Sequence, residues 1–267
     1  MADQHQREIE AFGSNDDFWI FGYGSLIWKP PPHYDQRLPG YIEGYVRRFW
    51  QASEDHRGTP EAPGRVVTLI DRAHWATLKD EHDSPTRVWG AAYHIPKRHV
   101  EAVRKYLDIR EINGYSIQFT PFHPAVSSAQ VIVEPGAQAE EPASPLSGIK
   151  VTSTATVMDE VENIKCLVYI GLPENPQFLG SQDPDALAQK ILESKGPSGE
   201  NREYLYNLEI ALLGLSTDSG DEHVSDLVRR CRALEEKGGV REEDEGDDEA
   251  EILHKVGSTE EQEEVER

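Results

Sequence analysis

Phe18-Trp-Ile-Phe-Gly-Tyr-Gly-Ser-Leu26 is the stretch that decides how this chain is read: a short apolar run passes directly into paired glycines. A run of that length, stopped by glycine, reads as a buried strand entering a tight turn. The turn can serve two ends. It can present successive backbone N–H groups to a carboxylate or a developing oxyanion, or it can simply let the chain reverse. It is neither a Walker-type phosphate loop, since no Gly-Lys-Ser/Thr follows, nor a complete GxGxxG.

Working outward, the segments 41–50, 64–71 and 87–95 are rich in aromatic and β-branched residues and read as further strands. Glu54-Asp-His-Arg-Gly-Thr-Pro60 between them is loop. Pro96 opens a helix with Val100, Val103 and Leu107 on one face, and Asn113-Gly114 is its expected stop. Tyr115, Ile117 and Phe119 alternate with polar residues, the period of a half-buried strand. Ala129–Val133 is a candidate extension of that sheet, and Ile164–Ile170 is another strand. Asp183-Pro184 fits an N-cap with proline at N1, opening a helix to about 195. Ser198 reads as the cap of the next helix, which carries Leu205, Leu208, Leu212 and Leu215 inward. A last helix is expected over roughly 221–237. Strands dominate early and helices late, which points to an α+β class.

Composition narrows the function. The chain has 267 residues and a formal net charge of −22. Residues 235–267 hold 15 Asp/Glu against 4 Lys/Arg, and they read as a disordered acidic tail. A polar lead occupies 1–17, so the folded domain is expected over 18–234, with 134–163 as a long loop insertion. A pI near 4.8 argues against a nucleic-acid partner. The basic cluster Arg47-Arg48 with His56-Arg57 is therefore read as structural or substrate-facing. Cys166 and Cys231 form no CxxC pair and read as reduced thiols. No apolar run is long enough to span a bilayer, and no targeting segment is evident, so the expected location is the cytoplasm.

Beyond the glycine turn, two segments can carry chemistry. Tyr106-Leu-Asp-Ile-Arg-Glu111 closes the first long helix, where a carboxylate opposes the helix dipole. Glu111 is thus either a solvated helix-end charge or a residue that carries chemistry. Asp108, three residues earlier, is either its helper or a partner of Arg104 or Arg110. The second segment, Lys195-Gly-Pro-Ser-Gly-Glu-Asn201, leads into Tyr204, and both Asn201 and Tyr204 are core or site residues. His94 and His99 lack a zinc-ligand pattern, and no GxSxG elbow nominates a serine.

Taken in register, seven stretches resemble the ChaC-like, glutathione-specific γ-glutamylcyclotransferases. They are Phe21-Gly-Tyr-Gly-Ser-Leu-Ile-Trp28, Gly44-Tyr-Val-Arg-Arg-Phe-Trp-Gln51, Asp55-His-Arg-Gly-Thr-Pro60, Pro63-Gly-Arg-Val-Val-Thr-Leu69, Tyr106–Glu111, Gly114-Tyr115 and Gly196–Tyr204. The resemblance implies a compact, barrel-like mixed sheet with packed helices. It also implies that glutathione is converted to 5-oxoproline and cysteinylglycine without metal or cofactor. It puts the proton-accepting glutamate at Glu111 and the substrate loop at Gly22, Tyr23, Gly24, Ser25, Leu26 and Ile27, with Tyr115 and Tyr204 as further pocket residues. Three features depart from the family pattern: Ile112-Asn113 after the glutamate, the long 134–163 stretch, and the acidic tail. Two other readings stay open: cyclotransfer on other γ-glutamyl compounds, and a non-catalytic γ-glutamyl binder whose tail recruits a basic partner.

Overall fold

The computed structural model describes residues 18–110, 115–125 and 164–249, the side chains at 108–110, 115 and 238–249 excepted. Strand β1 (Phe18–Gly22) is buried at every position. It pairs antiparallel with β5 (Arg87–Ile95), Phe18 opposite Ile95, and parallel with β7 (Ile164–Gly171), Trp19 opposite Cys166. With β2 (Gln36–Glu43) and β6 (Tyr115–Pro124) these strands close a five-stranded barrel in the order β1-β5-β2-β6-β7. Alternation along β1 feeds two cores. Phe21 meets Phe122 of β6, a strand that is not its neighbour in the sheet, with ring centroids 5.8 Å apart. That face of β1 therefore looks across the barrel. Phe18 and Ile20 pack instead with Val100, Val103 and Leu107, the apolar stripe of α2 (Val100–Arg110).

A second sheet holds β3 (Tyr45–Ser53) and β4 (Gly64–Asp71), followed by the short α1 (Arg72–Trp75). The expected single strand over 41–50 is in fact two. Gly44 adopts φ +85°, a left-handed conformation that breaks β2 from β3 and sends the chain into the other sheet. Three helices, α3 (Pro184–Glu193), α4 (Asn201–Leu213) and α5 (Glu222–Glu249), pack on one another, and the first two cover β4. The Asp183 side chain caps α3 by accepting from the Ala186 N–H at 2.9 Å, as expected. Ser198 does not cap α4. It sits in a two-residue-strand hairpin, β8 (Lys195–Gly196) and β9 (Gly199–Glu200), and Glu200 takes the N-cap position. Helix α5 continues twelve residues past its expected end, into the acidic stretch. Its Glu, Lys and Arg residues are good helix formers, a preference that outlasts the apolar periodicity. The expected strand at 129–133 and the insertion at 134–163 lie outside the described residues. Among the described residues no helix is long and apolar enough to cross a membrane.

Arg47 and Arg48 are structural. Both are almost fully buried, at 2% and 1% exposure. Arg47 pairs with Asp221 and donates to the Trp89 carbonyl. Arg48 donates to Asp80 at 2.6 Å and to the carbonyls of Arg47, His82 and Asp83. Beside them, His223 Nε2 accepts the Phe49 N–H at 3.1 Å, so its remaining proton sits on Nδ1, 3.4 Å from His82 Nδ1. His82 then presents its Nε2–H to Asp226 at 2.9 Å. This chain of hydrogen bonds ties α5 to β3.

Burial, and secondarily the nearby Arg48, hold the His223 pKa well below the usual histidine range. The unfolded chain protonates this ring near pH 6.5 whereas the folded one does not. Its contribution to stability is therefore complete above about pH 6.5 and declines as the pH falls below it, by up to about 1.4 kcal/mol per unit. His223→Gln keeps an acceptor for the Phe49 N–H but cannot titrate. It is expected to lose stability less steeply than wild type between pH 6.5 and 5 in urea titrations, and equal slopes count against the assignment.

Candidate active site

The glycine turn of β1 opens onto a cavity of about 460 Å³, within the range of small-molecule sites. Three sequence-distant pieces close it. The first is the turn itself. Ser25–Ile27 forms a single 3-10 turn in which the Ile27 N–H donates to the Gly24 carbonyl at 3.0 Å and the Lys29 N–H to that of Ser25 at 2.8 Å. Two buried tyrosines fix it. The Tyr93 hydroxyl donates to the Leu26 carbonyl at 2.7 Å, and the Tyr23 hydroxyl to the Tyr169 carbonyl on β7 at 2.8 Å. The loop is thus pinned to β5 and β7 before any ligand arrives, which is what preorganised binding requires.

The second piece is the loop after β3, with Asp55, His56 and Arg57 in the wall. It is clasped by the β8–β9 hairpin. The Ser198 N–H donates to the His56 carbonyl at 2.9 Å, and Ser198 Oγ lies 3.1 Å from His56 Nδ1. Gly196 and Gly58 make the clasp possible. A Cβ on Gly196 would stand 2.4 Å from the His56 carbonyl oxygen, and one on Gly58 would stand 2.1 Å from the Gly64 nitrogen. Backbone approach this close admits no side chain.

The third piece is α4, which carries Tyr204 into the wall. A Cβ at Gly24 would lie 2.9 Å from the Tyr204 hydroxyl, so the turn and this ring are in direct contact. Arg57 lies over the ring, its Cζ 5.9 Å from the centroid. Asn201, one helical turn earlier, is structural: it accepts from the Arg65 N–H at 2.6 Å and donates to the Arg65 carbonyl at 2.7 Å.

Among the residues expected in the site, Gly22, Tyr23, Gly24, Ser25, Leu26 and Tyr204 are all in this wall. Ile27 is not; it is buried at 5% exposure and joins the main core. Glu111 and the side chains of Asp108 and Tyr115 lie outside the described residues. Lys29, Val67, Tyr106, Tyr169 and Ser198 also line the wall without having been expected there, and of the basic cluster read as structural or substrate-facing, His56-Arg57 is the part that lines the cavity. The available signal was the Asp-His-Arg-Gly loop, whose glycine marks close backbone approach.

The wall's charge is distinctive. Among the described residues it holds two permanent cations, Lys29 and Arg57, and one carboxylate, Asp55. The chain as a whole carries −22. An acidic protein that collects cations at its cavity offers that cavity to an anion.

Comparison with known proteins gives a consistent answer. The family model described as ChaC-like protein matches residues 18–234. A glutathione-specific γ-glutamylcyclotransferase of Schizosaccharomyces pombe is 40% identical over 231 residues, covering 86% of this chain and 99% of that protein. Its namesake in Saccharomyces cerevisiae is 39% identical over 214 residues, 74% of this chain and 86% of that one. A crystal structure of the γ-glutamyl cyclotransferase specific to glutathione from yeast superposes with a TM-score of 0.62 at 34% identity, covering 82% of this chain and 99% of that chain.

Proposed function

From the premise that this chain belongs to the ChaC-like family, we propose that it is a glutathione-specific γ-glutamylcyclotransferase in which Glu111 moves the proton. The observation that carries the reading is the cavity itself. The glycine turn, the Asp-His-Arg-Gly loop and Tyr204 are far apart in sequence, and they close on one small-molecule site with cationic walls.

The chemistry needs three things. The α-amine of the γ-glutamyl group must reach its own γ-carbonyl, and holding that folded conformer is worth up to roughly 7–11 kcal/mol. The nitrogen attacks the γ-carbon, closing a five-membered lactam. A base must then take the proton that the amine loses. Finally, the amide C–N bond breaks and its electron pair leaves on the cysteinyl nitrogen, which must receive a proton. Glu111 takes the first proton and returns it to the leaving nitrogen, so that 5-oxoproline and cysteinylglycine balance glutathione atom for atom. Backbone N–H groups of the 22–26 turn stabilise the oxyanion formed in between. Support for Glu111 comes from α2: its stripe of Val100, Val103 and Leu107 is buried, and Tyr106, five residues before Glu111, is already in the cavity wall.

The reaction requires no cofactor, and the enzyme acts in the cytoplasm. Incubation with glutathione and detection of 5-oxoproline by mass spectrometry tests the reading. A panel of γ-glutamyl amino acids and γ-glutamylamines decides breadth. If those are turned over as well as glutathione, the narrower specificity fails. Glutathione binding in calorimetry with no product over hours would return the chain to a binding protein.

A further inference from the structure

Arg57 is the more deeply buried of the two permanent cations in the cavity wall. It is only 5% exposed, yet its guanidinium is poorly compensated. Nη1 donates to the Glu200 carbonyl at 2.8 Å and reaches the Glu203 carboxylate at 3.4 Å. That carboxylate is itself 58% exposed, so water screens the pair. Nη2 has no partner among the described residues. A buried guanidinium with an open fork is a ready receptor for a carboxylate, which it can hold through two parallel hydrogen bonds.

Its place on the far side of Tyr204 from the turn points to one carboxylate. Gly24 contacts the hydroxyl of Tyr204, whereas Arg57 lies over the ring of the same residue. One tyrosine therefore separates the reacting end from the guanidinium. In a γ-glutamyl tripeptide the α-carboxylate shares a carbon with the attacking amine and stays at the turn. The terminal carboxylate lies two residues away, at most about 7 Å along an extended chain. We propose that Arg57 selects the substrate by binding the terminal carboxylate of the leaving dipeptide, an inference that rests on the glutathione reading above. Lys29 adds long-range attraction, and the Ser198–His56 clasp fixes the loop that carries the guanidinium. The arrangement favours substrates of the right length ending in a free carboxylate and disfavours γ-glutamylamines, which have none.

The test compares glutathione with its C-terminal carboxamide, using the ratio of their kcat/KM values. Wild type is expected to prefer the carboxylate by about 10–100-fold, mostly through KM, the range for a charge-assisted hydrogen bond. In Arg57→Gln that ratio should fall toward 1, and Arg57→Lys, which keeps charge but not the fork, should fall between. A purely structural Arg57 would lower both substrates together and leave the ratio at its wild-type value, overturning the proposal. So would a wild type that turns over both substrates equally, a comparison that needs no variant to fold. Failure of the underlying reading looks different, because wild type then releases 5-oxoproline from neither substrate.

Discussion

Glu111→Gln is expected to lower kcat/KM for glutathione by about 10²–10⁴-fold, the usual contribution of a positioned general acid–base, while the circular dichroism spectrum and melting temperature stay at wild-type values. Glutamine preserves the size and hydrogen-bonding reach of the side chain but cannot accept the amine's proton. The loss should appear in kcat, since the substitution leaves Arg57, Tyr204 and the glycine turn to bind substrate. A carboxylate after the last turn of α2 is unfavourable for the helix dipole, so stability alone does not account for it. The helix that ends at Arg110 brings Tyr106 into the cavity wall. Asp108→Asn is the matched control and should cost far less. Undiminished turnover in Glu111→Gln would refute the assignment outright, because the proposed reaction contains no other base.

Asp80→Ala should destabilise the fold by about 3–5 kcal/mol, the cost of leaving a buried charge without its partner. Asp80 and Arg48 are 6% and 1% exposed and lie 2.6 Å apart. The same carboxylate also accepts the Trp75 indole N–H at 2.7 Å and, through its other oxygen, the His82 N–H at 3.1 Å. Truncation therefore strands a guanidinium and two neutral donors together. Urea denaturation measures the loss, and a change below about 1 kcal/mol would show that water reaches Arg48 after all. Asp80 is outside the cavity wall, so the folded fraction should keep its KM for glutathione. The exposed Glu101–Lys105 pair on α2 is the contrast. At 84% and 71% exposure its 2.7 Å contact is screened by solvent, and Glu101→Gln should leave the denaturation midpoint unmoved.

Both expectations involve groups whose roles the sequence could not separate. In the chain, Arg47-Arg48 and His56-Arg57 look like one basic cluster. In the fold they face different ways. The first pair is sealed against Asp221 and Asp80, while the second faces the cavity. Ser198 shows the same limit. A serine shortly before a helix reads locally as a cap, but the hairpin's pairing places it against His56 instead.

Residues acting on their near neighbours were legible from the chain alone. The apolar run of β1, the Val100–Val103–Leu107 stripe and the Asp183 cap each depend on contacts or periodicities within a few positions. The family, too, could be read there, because its motifs are local strings. Tertiary structure decided whatever depends on burial and long-range approach: the break at Gly44, the barrel's closure through β1 and β7, the clasp of Gly196 on the His56 loop, and the stack of Arg57 on Tyr204 beside Gly24. A charge acquires its function from the dielectric and the partners around it, and for Arg47 and Arg57 those partners include residues more than a hundred positions away.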